Sequence, residues 1–184
     1  MDKKWNGGEF LMKKFSFMGA ILLILCVGII LFIPLQTFLV IEPRSTAGDP
    51  VLFSLPDDHS FSVRYTHSIH LSEVEEFYHQ TSSNQIQQTQ LLYEDTAIGM
   101  PANAEGNETF EVTKEGKYLI SNMDKVFPFI DIRIGQVVAN HRLVMDGKEY
   151  PLADYFDKGS VVRVQIMKQS LYDQWKGVTV VGKR

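Results

Sequence analysis

A chain of 184 residues with a net charge of −4 and one cysteine can hold one modest domain plus an appendage, and no internal disulfide. From residue 42 onward, 14 lysines and arginines stand against 20 aspartates and glutamates, so this part carries −6 without a basic run. That balance argues against nucleic acid as a partner, and equally against an anionic membrane surface.

The first element is apolar. Residues 15–41 contain no charge, a run of 27 residues, or about 40 Å as a helix against a bilayer core of about 30 Å. Pro34 divides it, so residues 15–33 suffice to span, and residues 34–41 are expected to continue as a kinked or interfacial extension. Lys3, Lys4, Lys13 and Lys14 precede the run. This bias puts residues 1–14 in the cytoplasm and 42–184 outside, as in a single-pass protein of the cell membrane. The rival is a secretory signal cut at Ser45-Thr46-Ala47. Its apolar region would be nearly twice the usual length, with Glu42 and Arg44 close to the cut, so residues 15–41 are read as an uncleaved anchor. A lipobox needs a small residue where Leu25 precedes Cys26.

Residues 42–60 are rich in turn formers and read as a linker with a short strand at 51–55. Strict alternation follows. Phe61, Val63, Tyr65, Ile69 and Leu71 share one parity; Ser62, Arg64, Thr66, Ser68, His70 and Ser72 share the other. Period two predicts a half-buried strand. Residues 75–81 are its return partner across residues 72–74, and 85–93 a further strand. Residues 95–106 form a loop in which Gly99 permits positive φ and Pro101 fixes the exit.

Residues 110–113 and 118–121 pair as a hairpin. Strands at 129–134 and 137–145 come next, and Asp146-Gly147 is a two-residue hairpin signal into 148–150. Pro151 starts a helical turn through Phe156, and 161–167 is a strand. Ser170 resembles an N-cap, with Asp173 in the first turn and Trp175 on it. Residues 178–181 close as a last strand. The sum is an all-β fold: an antiparallel sandwich or barrel-like extracytoplasmic domain over residues 61–184.

The candidate chemistry crowds into residues 63–77. His67 and His70 are three apart, with Glu73, Glu75, Glu76 and His79 downstream, a spacing that could grip a metal on a helix. On a strand the two histidines point to opposite faces. The same parity separates His67 from Ser68, so this pair does not make a nucleophile and base. His67 falls in the inward row and is expected to hydrogen-bond a carboxylate from Glu75 or Glu76. No phosphate loop, dinucleotide fingerprint or zinc spacing is present. Met100 and Trp175 mark either core or a contact surface.

Tyr65-Thr66-His67-Ser68-Ile69, then Glu75-Glu76-Phe77, Gly99-Met100-Pro101, Asn122-Met123 and Phe127-Pro128 resemble the DUF1850 family of bacterial domains of unknown function. The resemblance runs from about Phe61 to Val178. It implies a small anchored or secreted protein, typically encoded beside TRAP transporters that use a TAXI-type solute-binding protein. No activity and no cofactor come with it. The family pattern often has an acidic residue near position 70, from which His70 departs. The expectation is a membrane-anchored accessory protein whose partner is the TRAP permease or the TAXI-type binding protein, with Tyr65, His67, Ser68, His70, Glu75, Glu76, Gly99 and Pro101 as the candidate motif. The alternative is a ligand- or metal-binding module using His67, His70 and Glu76.

Overall fold

The chain's longest apolar run divides into a helix and a strand. In a computed structural model that describes residues 7–45, 48–95, 100–175 and 179–181, helix α1 spans Gly7–Phe32 and strand β1 spans Gln36–Pro43. Pro34 cannot donate to a helix and disfavours helical geometry in the residue before it, so the chain turns there. The expected extension over residues 34–41 is therefore replaced by a strand, and so is the start of the expected linker. Leu39 and Ile41 are fully buried in the main core, while Phe38 and Val40 are buried with Leu52 on the other face. A strand covered on both faces has no reason to alternate polar with apolar.

The remaining strands are β2 (Val51–Ser54), β3 (Ser60–Thr66), β4 (Glu73–Gln80), β5 (Ile86–Tyr93), β6 (Thr109–Val112), β7 (Tyr118–Ser121), β8 (Val126–Phe127), β9 (Ile130–Arg133), β10 (Arg142–Met145), β11 (Lys148–Pro151), β12 (Val161–Gln169) and β13 (Thr179–Val181). Short helix α2, Leu171–Trp175, separates the last two. One sheet runs β13-β2-β1-β12-β9; the other runs β11-β10-β3-β4-β5-β7-β6, with β8 also paired to β5. All pairings are antiparallel except β13 with β2. The two sheets form a sandwich and not a closed barrel.

The main core lies between the sheets. Leu39, Ile41, Phe53, Val162, Val164 and Ile166 come from the first, and Phe61, Val63, Tyr78, Ile86, Leu143 and Met145 from the second. A smaller cluster of Val74, Leu91, Tyr93, Ile120 and Met123 packs with Met100. The Tyr93 hydroxyl donates to the Pro101 carbonyl, which ties the Met-Pro part of that motif to the core. Gly99 lies outside the described residues. Local turn signals are obeyed: Asp146 and Gly147 have φ of +48° and +69°, the type I′ geometry that a two-residue hairpin needs.

Two strands are shorter than their alternation implies. β3 ends at Thr66, paired with Glu73. Residues 67–72 close the turn, with the Ser72 carbonyl accepting from His67 N–H at 2.8 Å and the His67 carbonyl from Leu71 N–H at 2.9 Å. Leu71 takes a left-handed φ of +56°, so the parity argument lapses at this point. Ile69 and Leu71, expected inward, are 65% and 66% exposed. Likewise residues 137–141 are not strand: β10 begins at Arg142, and Val137 is exposed.

Candidate site at the β3–β4 hairpin

The β3–β4 register distributes the candidate residues over three environments. Arg64 faces Glu75, Tyr65 faces Val74, and Val63 faces Glu76. Neither Glu75 nor Glu76 partners His67, because the turn falls at residues 67–72 and not at 72–74. The expected His67–carboxylate bond is thus corrected on both counts.

The outer face carries an ionic ladder across four strands. Glu75 is only 8% exposed, and a carboxylate so placed needs its lone pairs filled. The Ser62 hydroxyl donates to Glu75 Oε1 at 2.5 Å, and Arg64 Nε and Nη2 donate to Oε2 at 3.0 and 2.9 Å. Arg64 Nη1 reaches Glu149 Oε1 at 2.5 Å. Arg142 bridges Glu73 at 2.7 Å and Glu149 at 3.3 Å. Burial pushes the Arg64 guanidinium pKa down, but the hydrogen bonds and charge of Glu75, with help from Glu73 and Glu149, raise it above its ordinary value. Beside the ladder lies a depression of about 420 Å³ bordered by Ser62, Glu75, Phe77, Gln90 and Val144. Its carboxylate is already saturated by Ser62 and Arg64.

Glu76 occupies the inward row of β4 with Val74 and Tyr78. The Tyr78 hydroxyl donates to Oε2 at 2.6 Å and that of Tyr65 to Oε1 at 3.4 Å. Burial first, then the adjacent carboxylate, drives both phenol pKa values far up. Tyr65 also stacks on His141, with ring centroids 5.1 Å apart. Burial lowers the His141 pKa, opposed by a hydrogen bond involving the Ala139 backbone, so this imidazole is neutral near pH 7.

The third environment is the hairpin tip. The His67 and His70 rings sit 5.5 Å apart, brought together by the turn that a continuous strand would have denied them. His70 Nδ1 lies 3.2 Å from Asp95 Oδ2, while His67 Nδ1 is buried without a hydrogen-bond partner. Ser68 is exposed in the turn and makes no side-chain hydrogen bond to either histidine. Among the described residues no group of three His, Cys, Asp or Glu side chains is placed to hold a metal ion. Glu76, committed to the two tyrosines, is not such a partner for the histidines. Chemically, the tip offers imidazole edges flanked by exposed Ile69 and Leu71, a surface for contact.

Sequence reasoning found Glu75 and Glu76 but missed their partners. Ser62 and Arg64 were legible as outward residues of β3. Arg142 and Glu149 were legible only after the Asp-Gly hairpin set the register that places them on one face.

The family model described as Domain of unknown function (DUF1850) matches residues 61–152, half of the chain, and the chain belongs to that family. No curated protein and no solved structure matches it. The matched segment holds β3 to β11, which includes the whole sheet bearing the ladder. Of the other sheet it supplies only β9.

Proposed function

We propose that this DUF1850 member is a non-enzymatic, single-pass accessory protein whose β domain works at the outer face of the cell membrane. On this reading it serves a TRAP-type uptake system by contacting the permease or its TAXI-type solute-binding protein. The transport assignment rests on the family resemblance; the tether rests on the chain's own build.

The observation that carries the tether is the join between helix and domain. Residues 14–32 form a 19-residue apolar stretch with none of it buried in the protein. After three connecting residues the chain enters β1, which lies between β2 and β12. A cut after Ala47 would remove β1 and its buried Leu39 and Ile41. A cut before Gln36 would place Leu35 and Ile33 where signal peptidase needs small side chains. Both arguments support an anchor that is retained. Tethering raises the effective concentration of the domain at any membrane partner, and the exposed tip at Ile69 and Leu71 is the surface we assign to that contact.

The test is co-purification of the tagged full chain in mild detergent. Recovery of permease or binding-protein components supports the assignment. Intact chain that brings down neither component sinks it.

A further inference from the structure

The short helix at the end of β12 stands beside the exit of the anchor. At about 1.5 Å per residue, the 19 residues from Lys14 to Phe32 extend about 28 Å, close to the thickness of a bilayer's hydrocarbon core. Phe32 therefore reaches the outer boundary of the hydrocarbon when Lys14 marks the inner one. The Tyr172 ring of α2 lies against it, with centroids 4.7 Å apart. Gln174 Nε2 donates to Gln36 Oε1 at 3.0 Å, which pins α2 to the first residue of β1.

α2 is built to stay formed there. The Ser170 hydroxyl accepts from Asp173 N–H at 3.1 Å, and Asp173 Oδ2 accepts from Ser170 N–H at 3.1 Å. This is a reciprocal cap in which Asp takes the place of the usual Glu. The helix then presents its apolar residues outward. Leu171 and Trp175 are four apart and share a face, and Trp175 is 82% exposed within the protein. Leu35 in the connection and Met167 near the end of β12 are exposed as well.

We propose that α2 lies in the interfacial layer of the outer leaflet, beside the protein's own anchor, with Leu171 and Trp175 in contact with lipid. Tryptophan and tyrosine favour this layer because an apolar ring and a polar edge are both satisfied there. Continuity with the anchor selects lipid as the occupant: a group stacked on Phe32 shares its depth. Anchor and α2 then hold the β domain by two points, fixing its orientation over the membrane and not merely its distance from it. This inference rests on the tether proposed above.

The experiment uses the full chain with Trp5→Phe, which leaves Trp175 as the one tryptophan, reconstituted in phosphatidylcholine vesicles. Vesicle flotation and Trp175 emission are read on the same sample, with lipids brominated either high on the acyl chain or near its end. The proposal expects flotation, blue-shifted emission, and greater loss of emission with the shallow bromines. Flotation with unshifted, unquenched emission overturns the α2 placement alone. A blue shift that neither bromolipid quenches overturns it too, in favour of a protein contact. A chain that fails to float refutes the tether itself, and the inference with it.

Discussion

Replacing Glu75 by alanine removes the carboxylate on which three donors converge. The Ser62 hydroxyl at 2.5 Å and Arg64 Nε and Nη2 at 3.0 and 2.9 Å would all lose their acceptor. A hydrogen bond to a charged group contributes about 1.5–3 kcal/mol, and breaking a buried pair costs about 3–5 kcal/mol when the surviving charge is stranded. Arg64 is not stranded, since it keeps Glu149 and a quarter of its side chain reaches solvent. The expected loss is therefore about 2–3 kcal/mol, or about 5–10 °C in Tm. Urea unfolding of the detergent-solubilised chain, followed by far-UV circular dichroism, measures it without the ionic screening that guanidinium adds. A double-mutant cycle with Arg64→Ala should give a coupling of about 1–2 kcal/mol. A loss below about 0.5 kcal/mol, the worth of an ordinary exposed pair, would refute the view that Glu75 organises this face.

Three further outcomes are expected. A fragment of residues 48–184 lacks β1 and should show no cooperative melt, whereas residues 36–184 should melt cooperatively; each fully buried aliphatic side chain lost with β1 is worth about 2–5 kcal/mol, against a total stability of about 5–15 kcal/mol. Gly135→Ala should disrupt the connection into β10, because an added Cβ would overlap the Ala139 carbonyl group; a Tm within a degree of wild type would contradict this.

The half-buried His141 has a lowered pKa, so the unfolded chain binds its proton first as pH falls. The stability due to the neutral ring is present above the ordinary histidine range and is lost as pH drops through the lower folded value. His141→Phe should therefore flatten the acid limb of a stability–pH curve between pH 7 and 5, and identical limbs would exclude the role.

Local chemistry was legible in the sequence. Asp146-Gly147 announces its turn because both residues tolerate the positive φ it requires, and Ser170 with Asp173 announces its cap because the two residues are three apart. What escaped depends on tertiary context. β1 merges with α1 since Phe38-Leu39-Val40-Ile41, covered on both faces, is as apolar as the exposed helix residues before it. The hairpin tip kept the strand's parity because Ile69 and Leu71 fall in step with Tyr65, although no strand continues there. No Gly, Pro or Asn marks the turn, and a leucine carries the left-handed residue. The ladder joins Arg64 to Glu149 across 85 positions, so no local window contains it. The His67–His70 approach was hidden by the same false parity.

The intact mass of the chain extracted from the membrane fraction tests the account most directly. A retained anchor entering β1 predicts one species whose mass includes residues 15–41 and which resists alkaline extraction. A folded, soluble species beginning after Ala47 would contradict it, since such a chain has neither the anchor nor the strand that completes its sheet.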